Sequence, residues 1–104
     1  VRTEFNGQVS FFSITPGETR GNHFHHTKVE KFLVISGKAR FTFKNIFTKE
    51  KFQILANAKK PFIIESIPGW SHKITNLGND TSQIIVWANE NFNPSQPDTY
   101  HYSI

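Results

Sequence analysis

Three histidines and a glutamate are the residues of this chain whose types could hold a divalent metal ion. His23 and His25 are separated by one residue, Glu30 follows five positions later, and His72 closes a distant segment that begins with a proline and a glycine. Imidazole nitrogens and a carboxylate oxygen, with no sulfur donor, suit zinc, iron, manganese or nickel. The sequence therefore predicts a metal site at His23, His25, Glu30 and His72 without choosing among these ions.

Strand geometry suggests how the first three ligands meet. A β-strand presents alternate side chains to one face, so His23 and His25 would point the same way and Phe24 the other way. Glu30 opens an apolar run, residues 32–35, that is typical of a buried strand. An antiparallel return of that strand beside the histidine strand would bring the carboxylate to both imidazoles. A lone histidine on a strand is more often structural, and the combination is what favours a site.

The rest of the chain predicts strands and turns. Segments with strand character cover residues 8–15, 50–55, 62–67, 71–76 and 82–87, and prolines and glycines punctuate them. Between Lys38 and Lys44, polar side chains alternate with Ala39, Phe41 and Phe43, which indicates one solvated and one buried face; a phosphate-binding strip is the less favoured interpretation. Residues 91–104 are either a flexible tail or a segment that packs back. No helical periodicity appears, so an all-β sandwich or small barrel is expected.

Composition narrows the functional classes. A chain of 104 residues has room for one domain, and without cysteine it has neither disulfides nor a sulfur-ligated metal. No apolar run approaches the roughly 20 residues that cross a bilayer, and no signal peptide is visible. The net charge of +4 favours anionic partners, but the scattered basic residues argue against nucleic acid. No G-x-G-x-x-G fingerprint is present, so no NAD(P) site is expected in this chain.

Two segments resemble the paired motifs of cupins. Residues 17–37 match the spacing of the first motif, and residues 68–76 resemble the second, except that Pro68 and Gly69 are adjacent where the family usually has one residue between them. Residues 20–35, 67–72, 87–92 and 97–100 further resemble the C-terminal cupin domain of the bifunctional capsular-polysaccharide enzymes that make UDP-N-acetyl-L-fucosamine precursors.

That resemblance covers nearly the whole chain and carries several implications. It implies a single cupin domain over residues 1–104, with an all-β double-stranded β-helix or jelly-roll barrel, equivalent to part of a larger two-domain enzyme. In that family a short-chain dehydrogenase domain reduces with NADPH, and the zinc-containing cupin epimerises C3 of a UDP-2-acetamido-2,6-dideoxy-4-keto-hexose. The resemblance thus implies Zn²⁺, a UDP-linked keto sugar, a reductase domain or subunit, a homodimer and a cytoplasmic location.

Epimerisation at C3 requires a group that takes the proton and a group that returns it to the opposite face. A metal that polarises the C4 ketone would stabilise the enolate. Hydroxide on the metal, His26 and Tyr100 are the candidate proton-transfer groups. On a regular strand His26 would face away from the ligand pair, and a surface position is the simpler interpretation for it.

Four residues are candidates for substrate binding. Arg20, Lys28 and Lys31 flank the proposed ligands and could contact an anionic substrate, and Trp70 could stack on uracil or sugar or belong to the core. Two further polar residues are expected to support the fold or the ligands. Asn76 would satisfy the hydrogen bonds of a turn backbone. Glu65, in an apolar strand, would orient a ligand imidazole or pair with a lysine.

Two other functions are compatible with the same residues. With iron, three histidines and one glutamate also serve cupin dioxygenases. A non-catalytic cupin that binds sugar or mediates dimerisation for a reductase is the third possibility, because the run at residues 32–35 could form a barrel wall covered by another chain.

Overall fold

The structure is a computed structural model that describes residues 7–104. Nine β-strands form within this range: β1 Gln8–Ile14, β2 Thr19–Phe24, β3 Glu30–Ser36, β4 Lys38–Asn45, β5 Lys51–Asn57, β6 Ile64–Ser66, β7 Trp70–Asn76, β8 Ser82–Ala88 and β9 Tyr100–His101. The described residues contain no helix, and hence none long and apolar enough to cross a membrane. The expected all-β fold is confirmed.

The strands form two sheets of antiparallel pairs. The four-stranded sheet has the order β1-β8-β3-β6, and the five-stranded sheet has the order β5-β4-β7-β2-β9. Most strands adjacent in sequence, such as β2 and β3, therefore lie in different sheets, as expected for the jelly roll, whereas β4 and β5 form a hairpin within one sheet. This arrangement confirms the cupin-type fold and determines which residues can meet between the sheets.

The core lies between the inner faces of the two sheets. In β8 every second side chain points inward, so Ile84 and Val86 are buried while Gln83 and Trp87 face out. In β3 the same alternation buries Phe32 and Val34, which pair with Val86 and Ile84. Phe41 and Ile74 close the core from the five-stranded sheet. Glu30 belongs to the inward set of β3, which aims its carboxylate between the sheets.

Strand β2 deviates from regular geometry next to the histidines. Gly21 has a φ of 114° and Asn22 a φ of 62°, and the β2–β7 register shifts between Gly21 and His23. A Cβ atom on Gly21 would lie 2.6 Å from the carbonyl oxygen of His72 and 2.9 Å from the Cα of Lys73. Only glycine permits this approach of the two strands, and the bulge re-aims the residues that follow.

The C-terminal segment packs back on the five-stranded sheet. β9 pairs with β2, the Tyr102 backbone N–H donates to the Asn22 carbonyl at 2.8 Å, and the Ser71 hydroxyl donates to the Tyr102 carbonyl at 2.7 Å. Of the two possibilities for residues 91–104, the packed segment is the one that the structure contains.

Candidate metal centre

Two of the four predicted ligands face each other across one pair of strands. His23 on β2 and His72 on β7 are Cα partners in the ladder, and their ring centroids lie 4.6 Å apart. His72 is buried, at 2% exposure, and His23 is half-buried. The glycine bulge permits this opposition, because it takes Asn22 out of the β2–β7 register, so that His23 rather than Asn22 lies opposite His72.

The other two ligands complete the group from either side. His25 is the first residue after β2, and its Nε2 lies 2.7 Å from Glu30 Oε1. The same carboxylate oxygen lies 3.6 Å from His72 Nε2. Glu30 thus reaches the imidazoles across the interior of the sandwich.

This geometry corrects one detail predicted from the sequence. The strand that begins at Glu30 was expected to run antiparallel beside the histidine strand, and that pairing is wrong: β3 pairs with β6 and β8, while β2 pairs with β7 and β9. The carboxylate arrives from the opposite sheet because inward side chains of both sheets converge between them. The regular alternation of His23 and His25 along one strand is also interrupted, since β2 ends at Phe24.

The residues present fit a single divalent ion. One ligand atom from each of His23, His25, Glu30 and His72 lies within 4.8 Å of the others. Bonds of about 2.0–2.2 Å from one ion would place its ligand atoms no more than about 4.4 Å apart. The group is within a few tenths of an ångström of that spread. Three nitrogens and one oxygen match zinc or a related first-row ion.

Electrostatics keep two of the imidazoles neutral and the carboxylate charged. Burial, and next the neighbouring His23, lower the pKa of His72 to about 3. Burial and His25 lower the pKa of His23 as well. Burial opposes ionisation of Glu30, but the hydrogen bond with His25 and the charge attraction of the three histidines together outweigh it and lower the carboxyl pKa. Burial likewise opposes the charge on His25, and its bonds with Glu30 and the Asp98 carbonyl raise its pKa. Neutral imidazoles and an ionised carboxylate are what a metal binds.

Outer partners orient two of the ligand rings. Ser66 Oγ lies 3.1 Å from Nδ1 of His72, and the backbone carbonyl of Asp98 is bonded to Nδ1 of His25. Each contact leaves Nε2 as the atom that faces the group, as is usual for histidine ligands. Neither partner was singled out from the sequence, because neither belongs to a motif with metal-ligand spacing.

Two cavities border the ligand group and share His23, Glu30 and Val86 in their walls. The first, of about 210 Å³, adds Arg20, and the second, of about 230 Å³, adds Lys28. Together they reach the lower part of the roughly 300–1,000 Å³ range of ligand pockets. Aromatic rings border both cations: the Arg20 Cζ lies 5.4 Å from the centre of Phe12, and the Lys28 Nζ 5.7 Å from that of Phe92.

The other substrate-binding candidates lie elsewhere. Lys31 follows an inward residue and faces out, with its Nζ 5.3 Å from the ring centre of Trp87. Trp70 packs against the core, with its ring centroid 5.5 Å from that of Phe52, and lines a separate depression on the five-stranded sheet. Their role in substrate binding stays a prediction that this placement does not support.

The candidate proton-transfer residues form an aromatic cluster outside the cavities. The rings of His26 and Tyr100 lie 4.5 Å apart, and Phe24 stacks on Tyr100 at 5.4 Å. Within residues 7–104, neither His26 nor Tyr100 lines a cavity that contains the metal-ligand group. His26 is exposed, as the simpler interpretation held. A catalytic role for either residue stays a prediction.

Two polar residues have mainly structural surroundings. The Asn76 side-chain amide donates to the carbonyls of Ile14 and Asp80, both at 2.8 Å, and its oxygen accepts from the Gly78 N–H at 2.7 Å, which confirms its role in satisfying turn backbone. Glu65 is exposed and lies opposite Lys31 in the β3–β6 register. It faces away from the ligand imidazoles.

Two solved structures resemble this chain, one in fold alone and one in sequence as well. A 4-keto-6-deoxy sugar epimerase, NovW from the novobiocin gene cluster of Streptomyces spheroides, superposes with a TM-score of 0.75 over 85% of this chain and 48% of its own at 11% identity, which shows a shared fold. The capsular polysaccharide assembling protein CapF from Staphylococcus aureus superposes with a TM-score of 0.94 at 41% identity, over all of this chain and 30% of its own.

Sequence comparison gives the same relationship. The UDP-2-acetamido-2,6-beta-L-arabino-hexul-4-ose reductase of Pseudomonas aeruginosa (strain PA103) is 51% identical over all 104 residues, which span 28% of that protein. The chain thus corresponds to less than a third of the length of these relatives. A profile of the Polysaccharide biosynthesis C-terminal domain matches residues 1–100. The resemblance drawn from the sequence is therefore confirmed, and the chain belongs to the Polysaccharide biosynthesis C-terminal domain family.

Proposed function

We propose that this chain is the epimerase part of a sugar-nucleotide-modifying enzyme of capsular polysaccharide biosynthesis. Its reaction is the metal-dependent inversion of C3 in a UDP-2-acetamido-2,6-dideoxy-4-keto-hexose. The observation that carries the proposal is the group of His23, His25, Glu30 and His72. It borders two cavities, one with Arg20 in its wall and the other with Lys28. The names of the reductase and CapF relatives support the substrate class and the pathway.

The four ligands would hold one divalent ion, and we propose zinc. Bound there, the ion would supply a Lewis acid for the C4 ketone of the sugar, which makes the C3 proton removable. The chain's own residues prepare this site. Neutral His72 and His23 and ionised Glu30 are ready to bind without first losing a proton, since their pKa values are lowered.

Arg20 and Lys28 are proposed to bind the anionic part of the substrate. They border the ligand group in different cavities, so a sugar at the metal has a cation available in either direction for its diphosphate. Guanidinium and ammonium groups are the usual protein partners of phosphate oxygens. Val86 lines both cavities, and Phe32 and Ile74 add apolar wall to the one that Arg20 borders.

Inversion breaks the C3–H bond, moves its electron pair toward the ketone and returns a proton to the opposite face. Lys28 and Glu90 line the second cavity together with three of the metal ligands. We propose that Glu90 takes part in this proton transfer, because a proton-transfer group must reach the substrate within hydrogen-bonding distance. His26 and Tyr100 would have to move to do the same.

The length of the relatives supports a linked reductase. Because this chain equals 28% of the Pseudomonas protein, we propose that a short-chain dehydrogenase domain or subunit receives the epimerised keto sugar. The outer face of the four-stranded sheet exposes Val9, Phe11 and Trp87, at 68%, 57% and 38%, which supports the proposed homodimer.

Metal analysis with a product assay tests the proposal. The purified chain should contain about one zinc ion. It should convert the UDP-4-keto sugar to its C3 epimer, as monitored by proton NMR, and should consume no oxygen. Iron with oxygen consumption on candidate substrates would instead support the dioxygenase. A protein that binds zinc but forms no epimer would contradict the proposed function.

A further inference from the structure

The segment that follows β8 returns across the loop that joins β2 to β3. Asp98 in this segment accepts four hydrogen bonds from that loop with its carboxylate. Oδ1 accepts from the His26 backbone N–H at 2.8 Å. Oδ2 accepts from the backbone N–H groups of Thr27 at 2.8 Å and Lys28 at 2.9 Å, and from the Thr27 hydroxyl at 3.0 Å. One side chain thus satisfies the polar hydrogens of three consecutive residues.

The backbone of the same residue contacts a metal ligand. The Asp98 carbonyl oxygen is bonded to Nδ1 of His25. A carbonyl oxygen can only accept, so Nδ1 must carry the hydrogen, and Nε2, which donates to Glu30 at 2.7 Å, is the nitrogen that can give up its hydrogen and bind an ion. Asp98 therefore determines which nitrogen of His25 is available to an ion.

The two sets of contacts act on one short loop. His25 begins the loop, and Lys28, which is 7% exposed and lines the second cavity, lies three residues later. Thr99, the residue after Asp98, lines that cavity as well. The ligand, the cation and part of the cavity wall therefore depend on the same anchoring residue, more than 70 positions away from His25 in sequence.

We propose that Asp98 is a positioning residue that couples the docking of the C-terminal segment to the metal affinity of the site and to the placement of Lys28. Its effect on an ion depends on the proposed metal centre, whereas its effect on the His25 ring does not. A residue that only stabilised the fold would lower the free energy of unfolding and leave the properties of the folded site unchanged.

The test compares the only two aspartates of the chain. Asp98→Asn keeps one acceptor oxygen and replaces the other with an NH2 group, which cannot accept a hydrogen bond from the loop. Asp80→Asn is the matched control, since Asp80 lines a depression near Gly37 and Gly78, away from the ligand group. Zinc affinity is measured by chelator competition on folded protein, and the absorption spectrum of bound cobalt(II) reports ligand geometry.

We expect Asp98→Asn to lose about 10- to 100-fold in zinc affinity, the usual effect of disturbing an outer partner of a metal ligand, because a loosened segment displaces the Asp98 carbonyl from His25. The cobalt spectrum should change as well. Asp80→Asn should match the parent in both. Thr27→Val removes a single hydroxyl donor and should shift affinity in the same direction by a smaller factor, which provides a result if Asp98→Asn folds poorly. Parent-like zinc affinity in both Asp98→Asn and Thr27→Val would overturn the proposal.

A second readout uses the metal-free protein. At a pH high enough to leave His25 neutral, nitrogen-15 NMR of its ring should show Nδ1 carrying a hydrogen in the parent and in Asp80→Ala, and a mixture of tautomers in Asp98→Ala. An unchanged His25 ring in Asp98→Ala would contradict the proposal. If the parent binds no metal, the proposed function fails while this measurement still decides the role of Asp98.

Discussion

His23 and His72 stand directly opposite each other on β2 and β7, and Gly21 is what allows the two strands to approach there. Glu30 then reaches both rings from the other sheet. The site is therefore a contact between the two halves of the sandwich rather than a feature of one hairpin. Changes that shift β2 relative to β7 should disturb ion binding even when no ligand is replaced.

Gly21→Ala tests this dependence on close approach. The new Cβ would lie 2.6 Å from the His72 carbonyl oxygen at a φ of 114°, so we expect a loss of about 1–3 kcal/mol or more in the free energy of unfolding and weaker zinc binding by the folded protein. Gly17→Ala is the control, with a φ of 81° and nothing within 4 Å of the added atom. It should lose stability to urea but keep its zinc affinity; equal zinc affinity in both variants would contradict the explanation.

Ser66→Ala isolates the outer partner of His72. It removes the hydroxyl 3.1 Å from Nδ1, and zinc affinity should fall by about 10- to 100-fold. Ser82→Ala removes another buried hydroxyl, which donates to the Lys38 carbonyl at 2.7 Å. Both variants should lose about 1 kcal/mol of stability. Chelator competition should separate them, and a loss of zinc affinity in Ser82→Ala as well would show that the effect is general destabilisation.

Three cations near the ligands allow a direct comparison of substrate contacts. Arg20→Gln and Lys28→Gln should each weaken binding of the UDP sugar by about 1.5–3 kcal/mol, seen as a higher KM, because a charge-assisted hydrogen bond is lost. Lys31→Gln, which alters the outer face of β3, should leave KM unchanged. A raised KM in Lys31→Gln, with an unchanged KM in the other two variants, would place the substrate on the outer face of the sheet and contradict the proposed binding site.

Much of the site could be predicted because its ligands carry local signals. The short spacing of His23, His25 and Glu30 and the turn before His72 identified the residues, although not the strand arrangement, since nothing local specifies that β2 and β3 lie in different sheets. The alternation of side chains along a strand could also have shown from the sequence that Lys31 points away from the site of Glu30, because adjacent residues of a strand face opposite sides.

The outer partners could not be predicted in the same way. The contact from Asp98 to His25 uses a backbone carbonyl, which every residue has, and it joins segments more than 70 positions apart. Ser66 is one of several serines, and it lies beside His72 because β6, which pairs with β3, ends there and the chain then turns into β7. Such contacts depend on tertiary packing and leave no spacing pattern.

The docking of the C-terminal segment has a spectroscopic consequence. The Lys49 ammonium donates to the Tyr102 hydroxyl at 2.8 Å, and this hydrogen bond lowers the pKa of Tyr102 below its ordinary value of 10.0. Because the cation favours the phenolate, absorbance at the phenolate band should rise earlier with pH than in a free tyrosine. Lys49→Gln should move this step back toward higher pH. An unchanged titration in Lys49→Gln would mean that the segment does not lie on this turn in solution.

Exchange of the C3 hydrogen in heavy water is the most direct test of the central claim. The zinc-loaded chain should incorporate deuterium at C3 of the UDP-4-keto sugar, observed by NMR, and both chelation and Glu30→Gln should abolish the exchange. Exchange that persists at the same rate without metal, or its absence from the zinc-loaded chain, would contradict the assignment of His23, His25, Glu30 and His72 as the centre that activates the ketone.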